Sequence, residues 1–508
     1  MGLSAAFHAP IGGVLFAFEE AATFWNRDLT WRSFFGCMVA AVLAKYAKTG
    51  FLEFGPEGVL EFLDYSAVWE AWELPFFILL AVVTGFLGGI FCYAVGVIGD
   101  LRRQLLKTDS PSESCRRKRV LEVVLVAVLT TAVCFWLPVW LGCRQMEPSG
   151  RQLIHIGHEP GRIDGLVCPE GAYSETAFIL LQTKSMVVRT LFSHAPGFSI
   201  ELRIPSLLLC FAIVFVLTLL TYGTAVPCGL FIPNILAGAC LGRAAGELLL
   251  RMGFEVSPAI YAVMGSTGIV SGHSRLTISL AVIFLEITNG MQLLVPIIVT
   301  IMVSKVVADQ ISPEVNRIVL RGNASVTLIE DSLSEDHRLV FQGLIAQDVA
   351  SVIIRVLHSE ESVRRIYELL RESGHTIYPV VDRQNRLLTV VNRGELVNVL
   401  GKLQYPYDGP INVQELGEPG PDVTMWNTPL ERAFRHFRST GLRHLCVVDE
   451  AHVLLGIITR VDLARLCAEG THGVEHVRSI LLQKSSIIDV PRNPATTDTS
   501  QNAGEIYR

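Results

Sequence analysis

The groups best placed to do chemistry in this chain are backbone amides. The stretch Gly223–Glu247 reads GTAVPCGLFIPNILAGACLGRAAGE, an apolar run broken by Pro227, Gly229 and Pro233 and resumed as a small-residue helix pattern from Asn234. A helix that begins at membrane depth leaves its first N–H groups without partners and carries roughly +0.5 of an elementary charge at that end. Pro233 fits a first helical turn, where a missing N–H costs nothing, and Gly229 permits the tight bend before it. The amides around Gly229, Leu230, Phe231 and Ile232 are then open to a partner, and a small anion is the natural one. A Gly/Pro kink in an ordinary membrane helix would use the same residue types.

Side chains supply a second set. Glu19 and Glu20 end an apolar segment, and successive helix residues point about 100° apart, so one of the two at most faces a given pathway. On its residues alone, Glu20 reads as a helix-end carboxylate that snorkels and pairs with Arg27. Glu286 also lies at membrane depth and reads as structural, satisfied near Thr288 or Arg275. Cys143 and Cys168 share one polar stretch and are candidates for a disulfide. Thr459 and Asp462 have the spacing of a helix cap and its third residue. No nucleophile–base pair or metal-ligand spacing appears, which argues against an enzyme.

These groups need a scaffold, and composition names its kind. The 508 residues are 50% hydrophobic and 18% charged, with a mean hydropathy of +0.43, as expected for a multi-pass α-helical membrane protein that carries a soluble part. The formal net charge of −6 argues against a nucleic-acid partner. Eleven cysteines, with no Cys-x-x-Cys pair, do not make a disulfide scaffold. Met1–Phe7 enters an apolar segment at once, with no signal-peptide flank, so the chain reads as beginning inside a membrane domain. Leu74–Ile98 is long enough to span, and its Gly85, Gly88 and Gly89 suit close helix packing. The basic cluster Arg102, Arg103, Lys107 and Arg116–Arg119 marks a cytoplasmic loop, which places the polar residues 142–200 on the lumenal or outer side. Short interrupted apolar segments at 258–270, 277–288 and 293–307 are typical of transporters.

Beyond about residue 311 the pattern changes to charge and short β-type runs. Strands are expected at Val352–Ile354, Tyr378–Val381 and Leu387–Val391 around a helix, Ser362–Glu372, and the pattern recurs at Leu445–Val448, Val453–Ile458 and Pro429–Ser439. Asp382 and Asp449, 67 positions apart, set a gapless register that pairs Gly374 with Gly441 and Arg393 with Arg460. Two copies of a small α/β unit then share a core that neither has alone. The expected division is a membrane domain over 1–320, a linker over 321–344, repeats at 345–402 and 411–470, and a disordered tail over 471–508.

Several of these motifs resemble one family. Pro10–Glu20 (PIGGVLFAFEE) resembles a helix of the CLC chloride channels and transporters, and Gly229–Pro233 matches that family's Gly-x-Phe-x-Pro turn. Arg275–Leu280 and Phe284–Asn289 are similar to its late membrane helices, and the twin units resemble a pair of CBS domains. Phe24–Asn26 and Leu141–Met146 are most similar to the intracellular-organelle branch and its plant relatives. The resemblance implies a dimer that moves chloride across an endosomal, lysosomal or vacuolar membrane with the CBS pair in the cytoplasm. It implies that the Gly-x-Phe-x-Pro amides hold the ion and that Glu20 relays protons, as in exchanging members; channel members lack an acid there. It further implies an adenine nucleotide (ATP, ADP or AMP) at the CBS pair. Thr459, Arg460 and Asp462 resemble the phosphate- and ribose-binding segment, with His375 and Thr376 on the adenine side. The equivalents in the other repeat, Asn392 and Glu395, are degenerate.

The sequence departs from the family pattern in two respects. Neither Gly-Ser-Gly-x-Pro nor Gly-(Lys/Arg)-Glu-Gly-Pro occurs in the 508 residues; the first supplies a serine hydroxyl to the anion and the second a gating glutamate. The expectation is a family member without its first helices, which admits a non-conducting, nucleotide-sensing subunit as well as an exchanger or a pure channel. Asn316 stands where the family has a tyrosine at the inner mouth of the ion path. The segments used for dimerisation, within 10–49 and 276–310, are present.

Overall fold

The computed structural model describes residues 1–22, 25, 27–49, 69–106, 113–145, 168, 172–193, 202–288, 290–321, 341, 343–351, 355–402, 409–417 and 420–466. The expected strand at Val352–Ile354, most of the polar segment 142–200, nearly all of the linker and the tail lie outside the described residues. The chain divides into two units, Met1–Ala324 and Ser325–Arg508.

The first unit is helical. Its elements are α1 (Gly2–Phe7), α2 (Pro10–Phe16), α3 (Arg27–Thr49), α4 (Leu74–Leu106), α5 (Glu113–Leu141), α6 (Glu175–Leu181), α7 (Lys184–Phe192), α8 (Ile204–Thr221), α9 (Phe231–Arg251), α10 (Pro258–Ser274), α11 (Ile278–Thr288), α12 (Leu294–Asp309) and α13 (Val315–Arg321). A π turn over Ala17–Ala21 prolongs α2, and the short strands β1 (Arg144–Gln145) and β2 (Ala172–Tyr173) pair antiparallel. Among the described residues, four segments are long and apolar enough to cross a membrane: Ala71–Leu105, Cys115–Leu141, Ile204–Thr221 and Met291–Asp309.

Every residue of α10 is buried, so this helix is the centre of the unit. Small residues let its neighbours reach its backbone. A Cβ added at Gly242 of α9 would sit 2.0 Å from the Tyr261 carbonyl oxygen, and one at Gly88 of α4 would sit 2.6 Å from Gly272 Cα. Hydroxyls then bond across the contacts: Ser266 Oγ donates to the Ile235 carbonyl at 2.9 Å, and Ser304 Oγ to the Gly268 carbonyl at 2.6 Å. Where lipid offers no hydrogen bonds, such internal partners are what polar side chains require.

The second unit follows the 67-residue register. Its elements are α14 (Ala346–Val349), β3 (Leu357–His358), β4 (Glu360–Ser362), α15 (Val363–Glu372), β5 (Ile377–Val381), β6 (Leu387–Asn392), α16 (Arg393–Lys402), β7 (Pro410–Asn412), β8 (Val423–Met425), α17 (Leu430–Ser439), β9 (His444–Val448), β10 (Leu454–Thr459) and α18 (Arg460–Leu466). Both ends of β5, β6 and α15 recur 67 positions later as β9, β10 and α17. Each repeat folds into a three-stranded sheet, in the orders β3-β5-β6 and β8-β9-β10. The hairpin turns match atom for atom. Asp382 Oδ1 accepts from the amides of Gln384 and Arg386, both at 2.8 Å, and Asp449 Oδ1 from those of Ala451 and Val453 at 2.9 and 2.7 Å. Asn385 and His452 take the left-handed position in them, with φ of 64° and 61°. The Leu387 amide donates to the His452 carbonyl and the Leu454 amide to the Asn385 carbonyl, both at 3.0 Å, so the turns clasp one another about a pseudo-twofold axis. Val381, Val390, Cys446, Leu454 and Ile457 form a core drawn from both repeats.

Candidate functional site

The helix break is where the sequence puts it. No helix covers residues 222–230, and α9 begins at Phe231 with Leu230 as its N-cap. The first bond of α9 runs from the Asn234 amide to the Leu230 carbonyl at 3.2 Å. Pro233 has no N–H to give. Among the described residues, the amides of Leu230, Phe231 and Ile232 meet no acceptor. Three donors therefore gather at the positive end of a 21-residue helix, an arrangement that suits an anion. The Phe231 ring is held by Phe7 of α1, with centroids 5.4 Å apart. Behind the turn, buried Asn234 lies against His273 of α10, with Nδ2 3.4 Å from the imidazole Nδ1.

The three carboxylates divide into two that fasten α2 to α11 and one that does not. Glu19 accepts four hydrogen bonds at the start of α11: from the Thr277 amide (2.7 Å) and hydroxyl (2.5 Å), and from the Ser279 amide (2.9 Å) and hydroxyl (2.6 Å). Glu286, near the other end of α11, accepts from the amides of Ile11 and Gly12 at 3.0 and 2.8 Å. This corrects the expected partners. Thr288 gives its hydroxyl to the Phe284 carbonyl at 2.7 Å, and Arg275 is committed to Asp309, Ala308 and Ser312. The first turn of α2 needs an acceptor because its N-cap is Ala9, which makes no side-chain cap.

Glu20 stands apart from that clasp. No ion pair joins it to Arg27 among the described residues; it accepts from the side-chain amide of Asn316 on α13. The residue at the tyrosine position and the acid expected to relay protons are thus in direct contact. Glu20 faces a cavity of about 340 Å³ lined also by Arg275, Lys305, Glu314 and Arg317. Charged walls of both signs suit water and proton entry better than a greasy ligand.

Cys143 and Cys168 are joined by a disulfide, with their Cα atoms 5.7 Å apart. In the second unit, Thr459 ends β10 and caps α18. Asp462 Oδ2 accepts from the Thr459 amide at 2.8 Å and its hydroxyl at 2.6 Å, while Oδ1 accepts from Ser351 Oγ at 3.3 Å. A carboxylate has about four lone-pair sites, so acceptor capacity is left for a ribose. His375 and Thr376 are exposed just before β5, and no hydrogen bond links them to the Thr459–Asp462 turn among the described residues. Burial pushes the Cys446 thiol, in the shared core, up to about 12, with Asp422 adding to the effect.

Sequence reasoning missed one recurrent device, the basic side chain that caps a helix C-terminus. Arg102 donates to the Leu220 and Tyr222 carbonyls at the end of α8, Arg243 to Leu191 and Ser193 past α7, and Arg275 to Ala308 and Ser312 past α12. The Thr277-x-Ser279 start of α11, hydroxyls with no acid in the first turn, was the available signal for Glu19's role.

A broken-helix membrane unit followed by a twofold CBS-like unit is the architecture of chloride channels and transporters, and the chain belongs to that family. Residues 1–309 match the voltage gated chloride channel family, and residues 346–402 and 427–469 match the CBS domain. Among characterised proteins, the chain is similar to chloride channel protein CLC-b of Arabidopsis thaliana, with 29% identity over 91% of this chain and 65% of the relative. It is similar also to H(+)/Cl(-) exchange transporter 7 of Homo sapiens, with 30% identity over 94% of this chain and 63% of the relative. The chain thus spans just under two thirds of the length of these relatives. A crystal structure of a eukaryotic CLC transporter shares the fold, with a TM-score of 0.58 and 20% identity over 91% of this chain and 68% of that one.

Proposed function

We propose that this protein moves chloride across an intracellular membrane in exchange for protons, as a homodimer under the control of an adenine nucleotide. The observation that carries the reading is the start of α9, where the amides of Leu230, Phe231 and Ile232 have no acceptor among the described residues. A halide that sheds its water needs such fixed donors, and backbone amides supply them without a full counter-charge that would trap the ion. Glu20 is the proton relay. Of the two adjacent acids that line the polar cavity, it is the one left out of the α2–α11 clasp. Asn316 forms the inner mouth, donating through its amide where the family has a phenol. The CBS pair lies in the cytoplasm, as the basic residues Arg116–Arg119 argue, and ATP, ADP or AMP binds at Thr459, Arg460 and Asp462, with His375 and Thr376 on the base. The membrane is endosomal, lysosomal or vacuolar.

The test is flux from liposomes loaded with chloride and a pH dye. An exchanger moves protons against chloride, and Glu20→Ala abolishes proton movement while anion flux persists. Chloride flux with no pH change in the unaltered protein overturns the relay and leaves a channel. The second reading, a non-conducting nucleotide-sensing subunit, rests on the CBS pair at residues 346–402 and 427–469. It gives no flux of either ion while nucleotide still binds.

A further inference from the structure

Arg102 reads in sequence as one of a solvated basic cluster, and its neighbour Arg103 behaves so, pairing with Asp100 at the surface. Arg102 does not. Its side chain is only 14% exposed, and its Nε donates to Glu122 of α5 at 2.6 Å. The other two nitrogens reach the carbonyls of Leu220 and Tyr222, at the C-terminus of α8. Those carbonyls belong to the last turn of the helix and have no amide partner within it, and a guanidinium fork is the side chain shaped to take two at once.

Tyr222 leads directly into the segment that carries the helix break. Gly223 has φ of 83°, and a Cβ there would sit 2.9 Å from Arg102 Nη1, so the fork occupies the space beside the turn. Residues 223–229 then run to Leu230 with few ties of their own. Thr224 holds the Thr221 carbonyl through its amide (3.3 Å) and hydroxyl (2.9 Å), and Cys228 Sγ lies 3.7 Å from the same oxygen. Tyr222 and Leu230, at the two ends, pack in one cluster with Phe91, Phe215 and Leu219. Arg102 thus ties the entry into the segment to α4 and, through Glu122, to α5.

We propose that Arg102 is a positioning residue for the anion site: by gripping the end of α8, it sets the path of residues 222–230 and with it the aim of the Leu230–Ile232 amides. Glu122 balances its charge, so its contribution is geometric. This rests on the chloride reading of those amides.

Arg102→Lys retains the charge and the reach to Glu122 but cannot fork to two carbonyls. Two readouts on the full chain in detergent separate the possibilities. The first is alkylation of Cys228, inside the segment, by a water-soluble maleimide, with peptide mapping to separate it from the equally half-buried Cys134; Cys37, Cys92, Cys115, Cys210, Cys240 and Cys446 are buried. The expected change is a rise of about tenfold in the Cys228 rate, as local opening becomes easier. The second is calorimetric titration with sodium chloride, where a loss of about tenfold in affinity is expected, with the thermal midpoint held to within ~2 °C. If the lysine variant does not fold, Glu122→Gln, which loosens the fork without removing it, is read in the same way with smaller shifts. Unchanged Cys228 reactivity in a folded variant overturns the proposal. So does a faster rate with unaltered chloride affinity. If the unaltered protein binds no chloride, the anion reading falls, while the Cys228 rate still decides whether Arg102 sets the path.

Discussion

Neutralising two adjacent glutamates should have unequal consequences for stability. Glu19 and Glu286 tie α2 to α11 from both ends, each carboxylate receiving two backbone amides of the other element's first turn. Glutamine keeps one acceptor oxygen and turns an NH2 toward the second amide, so each Glu→Gln change loses one charge-assisted backbone bond and leaves a backbone donor facing a donor; at Glu19 the hydroxyl on the same oxygen can turn to accept from the NH2 instead. A hydrogen bond to a charged group contributes about 1.5–3 kcal/mol. Glu19 lies on an exposed edge where water can stand in, which places Glu19→Gln near the lower figure. Glu286 is half-buried, and its Oε2 lies 3.1 Å from where a Cβ on Gly12 would stand, so little room is left for water and Glu286→Gln belongs near the upper one. The seven residues of α11 from Ser279 to Glu286 separate the two sites by about 10 Å, so the double variant should lose close to the sum. Glu20→Gln still offers an oxygen to Asn316 and should cost under about 1 kcal/mol. Thermal unfolding in detergent, followed by the loss of the monodisperse peak on size exclusion, reads this as drops of roughly 3 °C, 6 °C and under 2 °C for Glu19→Gln, Glu286→Gln and Glu20→Gln. Equal drops for Glu19→Gln and Glu20→Gln, or none for Glu286→Gln, would refute the division of roles.

Two further outcomes concern the second unit. A thiol held near 12 has almost no thiolate at pH 8, so Cys446 should resist iodoacetamide in the folded protein and react only when urea opens the unit; prompt labelling under native conditions contradicts the burial of the shared core. Asp462→Asn removes charge from both the α18 cap and the ribose position. It should weaken binding of a fluorescent adenine nucleotide by about tenfold and destabilise the unit by about 1 kcal/mol in a denaturant titration. A loss of stability with unaltered nucleotide binding would leave Asp462 as a cap alone.

The parts of the fold legible in the sequence were those written in local chemistry. Pro227, Gly229 and Pro233 announce the break before α9 because each forbids or relaxes the backbone at its own position. The 67-residue register was readable because the same turn chemistry recurs: the aspartates at 382 and 449 organise identical loops, and both loops require a left-handed residue at the same place. The partners of the carboxylates were not legible. Glu19 and Glu286 take acceptor roles for amides more than 250 positions away, and nothing in the spacing of either residue points to the other helix. The contact of Glu20 with Asn316 is of the same kind, an approach of α2 and α13 that only packing creates.

The basic residues show the same limit from the other side. In sequence, Arg102 is indistinguishable from Arg103, yet one grips two carbonyls and the other lies at the surface. Arg243, Arg275 and Lys184 repeat the device at the ends of α7, α12 and α6, and Arg393 does so in the second unit, donating to Leu370 and Ser373 at the end of α15. The physics is common to all. A helix that ends inside protein exposes carbonyls carrying partial negative charge, and burial removes the water that would otherwise satisfy them. A helix that ends in open solvent has no such need. A fold made of short helices that stop partway must meet it repeatedly, and a cation meets both the hydrogen-bond and the electrostatic demand at once. For α8 that same solution sits one residue before the turn leading to the bare amides of α9, which is why we group Arg102 with the anion site and not with the topology signal its neighbours carry.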